Sequence, residues 1–210
     1  MRIGSVLENL NIEKRVAVTP EIVKKLTSLK YSVFLQNDYG KHLGISNEEY
    51  KKMGANFCST AKEVLEKSNI ILRVDLPSSD EINLIKKETI LIGQFDHILN
   101  KKKINKLIEK KVKIFSLLLL PRITRAQSMD VLSSQANLAG YRAVVEAVKE
   151  FGKVVPMMMT AAGTITPAKV LVIGAGVAGL QAIATAKRLG AIVSATDVRS
   201  AAKEQVESLG

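Results

Sequence analysis

Three glycines and one aspartate carry the clearest chemistry in this chain. "GAGVAG" sets Gly174, Gly176 and Gly179 in G-x-G-x-x-G spacing. The loop follows "KVLVI" (169–173), which has the near-continuous apolar content of a strand buried on both faces. It opens "LQAIATAKRLG", which reads as a helix ending at Gly190. "AIVSAT" (191–196) is the next strand, and Asp197 sits at its tip. Strand, glycine turn, helix, strand and acid in that order form the dinucleotide fingerprint. Each residue type has its reason. Gly174 permits the tight turn, Gly176 lets the backbone approach a pyrophosphate, and Gly179 lets helix and strand pack closely. A helix N-terminus offers unpaired N–H groups and a positive dipole end to phosphates. Asp197 is expected to accept hydrogen bonds from the adenosine ribose hydroxyls and to repel a 2′-phosphate, which favours NAD(H) over NADP(H). Arg199 complicates that preference, because an arginine near the ribose can accommodate a phosphate. The plain alternative is that the glycines serve packing alone.

A glycine loop needs a sheet behind it. The first 120 residues alternate short apolar runs with helical patterns. "RIGSV" (2–6), "YSVFLQ" (31–36), "NIILRV" (69–74), "TILIG" (89–93) and "VKIFSLLLL" (112–120) read as strands. "PEIVKKLTSLK" (20–30) reads as a helix with Ile22, Val23, Leu26 and Leu29 on one face and Pro20 in a tolerated first-turn position. Further helical patterns fall near 60–67, 78–87 and 100–111. This alternation predicts an α/β fold with a parallel sheet covered by helices. After Pro121 comes the loop "PRITRAQSM", then a long helix from about Asp130 to Phe151, with Val131, Leu138, Val145 and Val148 near one stripe. "GKVVPMMMTAAGT" (152–164) reads as a break. The expected organisation is an N-terminal Rossmann-like domain over 1–125, a connecting helix over 126–151, and the start of a second Rossmann domain over 152–210.

Composition narrows the classes. The chain has 210 residues, 47% hydrophobic and 24% charged, with no Trp and one cysteine, Cys58. One cysteine excludes an internal disulfide and fits a reducing compartment. The N-terminal "MRIGSVLENLNIEKR" lacks the apolar core of a signal peptide. No window is apolar enough to span a bilayer. The net charge of +11 raises the question of nucleic acid. Yet no aromatic residues interleave with "NKKKINKLIEKKVK" (100–113) to stack bases. That stretch reads instead as a solvated helix face with Ile104, Leu107 and Ile108 turned inward, so no nucleic-acid partner is expected. His42 and His97 are isolated, and no Ser-His-Asp set, Cys-His pair or metal spacing is evident.

Two stretches, "PRITRAQSMDVLSSQANLAGYRAVVEA" (121–147) and "PMMMTAAGTITPAKVLVIGAGVAGLQAIATAKRLGAIVSATDVRSAAKEQVESLG" (156–210), closely resemble the alpha subunit of proton-translocating NAD(P) transhydrogenases, in their NAD(H)-binding first domain. "EKRVAVTPE" (13–21) resembles the same family and its relative, alanine dehydrogenase. The resemblance implies two Rossmann-like halves with the second incomplete, so the chain reads as C-terminally truncated. It also implies that Arg122, Gln127 and Asp130, with Ser133 one turn on, contact the nicotinamide end of NAD(H), and it draws in their neighbours Ile123, Thr124, Ser128 and Met129. At the fingerprint the implied contacts are Gly174, Ala175, Gly176, Val177, Gly179, Asp197, Val198 and Arg199. Other roles are open at the loop. Asp130 or Ser128 could cap the long helix, Arg122 could pair with a surface carboxylate, and Gln127 could be solvated. Tyr141 could close over the site or lie in the core.

The resemblance further implies direct hydride transfer to NADP(H) on a partner domain, proton translocation by membrane-spanning partner subunits, a homodimer, and a cytoplasmic location peripheral to the inner membrane. Hydride transfer between two nicotinamide rings needs placement rather than an acid or base, in keeping with the lack of a catalytic set. Alanine dehydrogenase is the rival reading, and Arg15 and His97 lie where that family places substrate and proton chemistry. Its lysine is expected in "RVDLPS" (73–78), where this chain has Asp75 and Leu76. A non-catalytic fragment of a split gene is the other alternative.

Overall fold

The computed structural model describes residues 1–210, which form two compact units, Met1–Met129 and Asp130–Gly210. In unit 1 six parallel strands lie in the order β3-β2-β1-β4-β5-β6. These are β1 (Arg2–Ser5), β2 (Ser32–Gln36), β3 (Ala55–Cys58), β4 (Ile70–Leu72), β5 (Ile90–Gly93) and β6 (Lys113–Ser116). The order reverses direction at β1, which is the doubly wound arrangement. Five helices connect them: α1 (Pro20–Ser28), α2 (Asn47–Lys52), α3 (Ala61–Lys67), α4 (Ser79–Leu84) and α5 (Lys101–Glu109).

Alternation along the strands divides the core in two. Val33 and Leu35 of β2 pack with Val23 of α1 and Tyr50 of α2, whereas Phe34 faces Val64 and Leu65 of α3. Ile71 and Leu72 of β4 diverge in the same way. Gly4 is required at the centre, since a Cβ there would lie 2.0 Å from Ser68 Oγ.

Two polar clusters are sealed inside this unit. Tyr39 O–H donates to Ser5 Oγ at 2.7 Å, while its oxygen accepts from Ala17 N–H at 3.0 Å and Val18 N–H at 3.2 Å. Burial pushes the Tyr39 phenol up to about 12. Arg73 donates to Glu8 from Nε at 3.2 Å and Nη2 at 2.9 Å, and from Nη1 to Glu81 at 2.8 Å. Arg73 and Glu8 are 3% and 2% exposed.

Unit 2 opens with α6 (Val131–Phe151), so the helix read as a connector belongs with the C-terminal strands. The hairpin β7 (Met158–Thr160) and β8 (Gly163–Ile165) stands where only a break is predicted, and all six of its residues are exposed. Then come β9 (Lys169–Ile173), α7 (Val177–Arg188), β10 (Ile192–Thr196) and α8 (Ala202–Glu207). Strands β9 and β10 pair in parallel. Val170, Val172 and Val193 pack with Val144, Ala182 and Ala186. On the other face Leu171, Ile173 and Ile192 are 64%, 81% and 53% exposed.

Several predicted details shift. Of the α1 stripe Val23 is buried and Leu26 half-buried, but Ile22 is exposed and Leu29 falls beyond the last turn as the C-cap. On α5 Leu107 is buried and Ile108 exposed. The strand read through 120 stops at Ser116, because Ser116 Oγ turns to cap a 3₁₀ turn at Leu117–Leu119 and bonds Phe95. The buried positions of α6 are Gly140 and Val144, and Leu138 is exposed. The helix meets α7 through Gly140, where a Cβ would lie 2.1 Å from the Ala178 carbonyl oxygen. That approach turns Leu138 outward.

Candidate functional site

The glycine loop joins β9 to α7 as the spacing predicts, and its three glycines answer to different constraints. Gly174 has φ of +94°, the left-handed region that favours glycine, and its N–H donates to the Thr196 carbonyl at 2.7 Å. A Cβ on Gly179 would sit 1.8 Å from the Gly174 carbonyl oxygen, so this glycine holds helix against turn. Gly176 answers to neither constraint. Its φ is −75°, and a Cβ there would meet no atom within 4 Å. It is also the N-cap of α7 and has no side chain to satisfy the first-turn N–H groups. Nothing inside the protein requires a glycine at this point. A ligand approaching those N–H groups would.

At the tip of β10 the Asp197 carboxylate is already engaged. Oδ2 accepts from Ala175 N–H at 2.7 Å and from Arg199 Nη2 at 3.0 Å. Oδ1 accepts from Arg199 N–H at 2.8 Å and Nε at 3.0 Å. The Arg199 guanidinium foremost, then the two backbone N–H groups, hold the carboxyl well below the usual carboxylate range. The acid expected to meet a ribose therefore also ties β10 to the glycine loop. Val198, beside it, is fully exposed, as is much of Val177 on the first turn of α7. Asp197, Arg199, Ser200 and Lys203 line a cavity of about 470 Å³ next to α8.

The segment before α6 divides between the two units. Arg122, Ile123, Thr124, Gln127, Ser128 and Met129 belong to unit 1 and are all exposed; Thr124–Met129 forms a 3₁₀ turn anchored by buried Ala126. Asp130 and Ser133 belong to unit 2. Asp130 is the N-cap of α6: Oδ1 accepts from Ser133 N–H at 3.0 Å and Oδ2 from Ser133 Oγ at 2.6 Å. Of the two residues able to cap, Asp130 is the one that does. Tyr141 is exposed, so it is not a core tyrosine. Sequence reasoning takes the Ala and Gly residues of the long helix as permitting close packing, but it missed that Gly140 meets Ala178, the approach that positions α7 and the loop. It also missed the Ala175–Asp197 bond, which no spacing rule announces.

The fold and the loop define a doubly wound α/β protein carrying a dinucleotide-type strand-turn-helix. The chain belongs to the alanine dehydrogenase/PNT family: the N-terminal domain of that family matches residues 4–139 and its C-terminal domain residues 143–210. The chain is 48% identical, over its whole length, to the first portion of the NAD(P) transhydrogenase alpha subunit of Rhodospirillum rubrum, and spans 56% of that relative. A crystal structure of transhydrogenase from Sinorhizobium meliloti superposes with a TM-score of 0.95 at 50% identity, covering all of this chain and 63% of that one. An alanine dehydrogenase of Methanococcus maripaludis is 29% identical over 95% of this chain and 54% of its own length. No helix is long and apolar enough to cross a membrane.

Proposed function

We propose that this chain is the NAD(H)-binding component of a proton-translocating NAD(P) transhydrogenase. The pyrophosphate docks at the N-terminus of α7 over Gly174, Ala175, Gly176, Val177 and Gly179. The adenosine ribose meets Asp197, Val198 and Arg199. Arg122, Ile123, Thr124, Gln127, Ser128, Met129, Asp130 and Ser133 contact the nicotinamide end. When bound, NADH supplies a hydride, two electrons and one proton, which passes to NADP+ on a partner domain. The residues of this chain bind and orient the cofactor. Partner subunits that span the membrane couple the transfer to proton movement, and the chain works as a homodimer at the cytoplasmic face of that membrane.

The observation that carries this reading is Gly176, a glycine with neither a strained backbone nor a neighbour to avoid. The likeness to transhydrogenase alpha subunits over the whole chain supports it. The test is titration of the 1–210 chain with NADH and NADPH, followed by amide NMR, which reads affinities in the millimolar range. The Ala175, Gly176, Val177 and Arg199 amides should shift, with NADH binding the tighter. Amides that stay in place at saturating NADH would refute the reading.

A further inference from the structure

We infer that Gly140 is a positioning residue that sets the spacing between the pyrophosphate end and the nicotinamide end of the cofactor site. The inference rests on the NAD(H) reading above. Both ends have a part in unit 2. The glycine loop runs into the N-terminus of α7, and Asp130 and Ser133 sit at the N-terminus of α6. Asp130 bonds Ser133 through both carboxylate oxygens, so these two side chains move with α6. Their distance from the loop is therefore fixed by how α6 packs on α7. Gly140 meets α7 on its first turn. A Cβ there would run into the carbonyl oxygen, carbonyl carbon and Cα of Ala178, all of them backbone. A side chain can turn aside from such an intruder; backbone gives way only by shifting the helix.

The rest of the interface makes that shift a tilt. Val144, Ala182 and Ala186 are buried together with Val148 against them, so the contact continues along both helices in steps of four. Bulk at position 140 parts the helices at the first turn of α7 while these later rows stay together. Gly140 lies ten residues after Asp130, about 15 Å along the helix axis. Asp130 is thus further from the retained contacts than Gly140 is, and the displacement grows toward it. The loop keeps its own shape, because Gly179 against Gly174 and Ala175 on Asp197 hold it within β9, α7 and β10. The pyrophosphate end stays built while the nicotinamide contacts of α6 move away from it.

The test is NMR titration of the 1–210 chain with NADH and with ADP-ribose, which keeps the adenosine and pyrophosphate but lacks the nicotinamide ring. The wild type should bind NADH about three- to tenfold tighter than ADP-ribose, the worth of a hydrogen bond or two to the ring, and only NADH should shift the Ser133 amide. Gly140→Ala should bind ADP-ribose as the wild type does, lose the NADH advantage, and leave Ser133 unshifted. Val144→Ala loosens the same interface without adding bulk. It should speed amide exchange at Ala182 and Ala186 yet keep the NADH advantage. Should Gly140→Ala leave α7 unprotected, Ala182→Val adds bulk one turn along the same contact and should reduce the NADH advantage in a folded chain. An advantage that survives the added bulk, or that Val144→Ala removes equally, makes Gly140 ordinary packing and overturns the inference alone. Equal binding of NADH and ADP-ribose by the wild type overturns it as well. If the wild type binds no NADH, the inference falls together with the functional reading.

Discussion

The two units are built from the same strand-helix grammar, yet different things hold them. Unit 1 has six strands with helices on both faces, two apolar clusters, and polar groups sealed among them. Its sensitivity lies in what can be taken away. Unit 2 has two parallel strands, one covered face, and a face on which Leu171 and Ile173 are mostly exposed. Its joints are close approaches at glycine, at Gly140 against Ala178 and Gly179 against Gly174. Its sensitivity lies in what can be added. The dinucleotide fingerprint sits in the unit whose backbone, rather than whose side chains, forms the critical contacts. A site that presents N–H groups to phosphates needs that backbone exposure.

The comparison is broken most sharply in unit 1. Arg73→Ala should leave Glu8 charged, buried and without its cation, at a cost of about 3–5 kcal/mol. Native-state amide exchange at Ile71 and Leu91 should speed up accordingly, with little change in α7. In unit 2 the matching change is an addition. Gly140→Ala should cost about 1–3 kcal/mol through overpacking against Ala178, read as faster exchange at Ala182 and Ala186, with unit 1 unaffected. Equal effects of both substitutions on both units would show that they unfold as one.

Removing the α6 cap with Asp130→Ala should cost unit 2 about 1 kcal/mol, and Asp130→Asn much less, because asparagine still caps. Chemical denaturation of the two variants checks this. If Asp130→Asn nonetheless disturbs the nicotinamide signals of bound NADH, its contact role is separate from its cap.

The units should also separate with pH. The Tyr39 phenol is raised from 10.0 to about 12 by burial. Its contribution is complete below pH 10 and is lost as pH rises between about 10 and 12, because the unfolded chain ionises first. The Asp197 carboxyl is lowered from its ordinary 3.8. Its contribution is complete above about pH 4 and fades as pH falls below it, weakly, since Arg199 is solvated. Alkali should therefore loosen unit 1 first, and acid below about pH 4 should loosen unit 2. Circular dichroism melts of wild type and Tyr39→Phe across pH 9–12 test the larger of the two effects.

The sequence made much of this visible, for reasons that differ by element. In unit 1, β4 ("IIL") and β5 ("ILIG") are continuous apolar runs, the composition common in strands covered on both faces, whereas central β1 ("RIGS") is not. β3 (Ala55–Cys58) escapes a reading by pattern because "ANFC" is four residues at the sheet edge with a polar residue within it. The helix before it carries a readable signal, the capping box of Ser46 and Glu49, and escapes because it spans only six residues. The β7–β8 hairpin is hidden by its exposure, which leaves no alternation to detect. At the site, spacing identifies the three glycines and Asp197, since turn geometry and strand length fix their separation. Spacing does not show that Arg199 already occupies Asp197, nor that Gly140 sets the helix behind the loop. Both depend on three-dimensional closeness between side chain or backbone groups.

The central claim is that the Gly174–Gly179 loop receives a dinucleotide because Gly176 leaves room for it. Gly176→Val adds a side chain where the protein itself has nothing to clash with, so the fold should survive: α7 should stay protected from amide exchange, with only the cost of about 1 kcal/mol that a poorer N-cap brings. NADH titrated against this variant should lose at least tenfold in affinity at the Ala175 and Arg199 amides. A variant that folds and binds NADH as tightly as wild type would contradict the account.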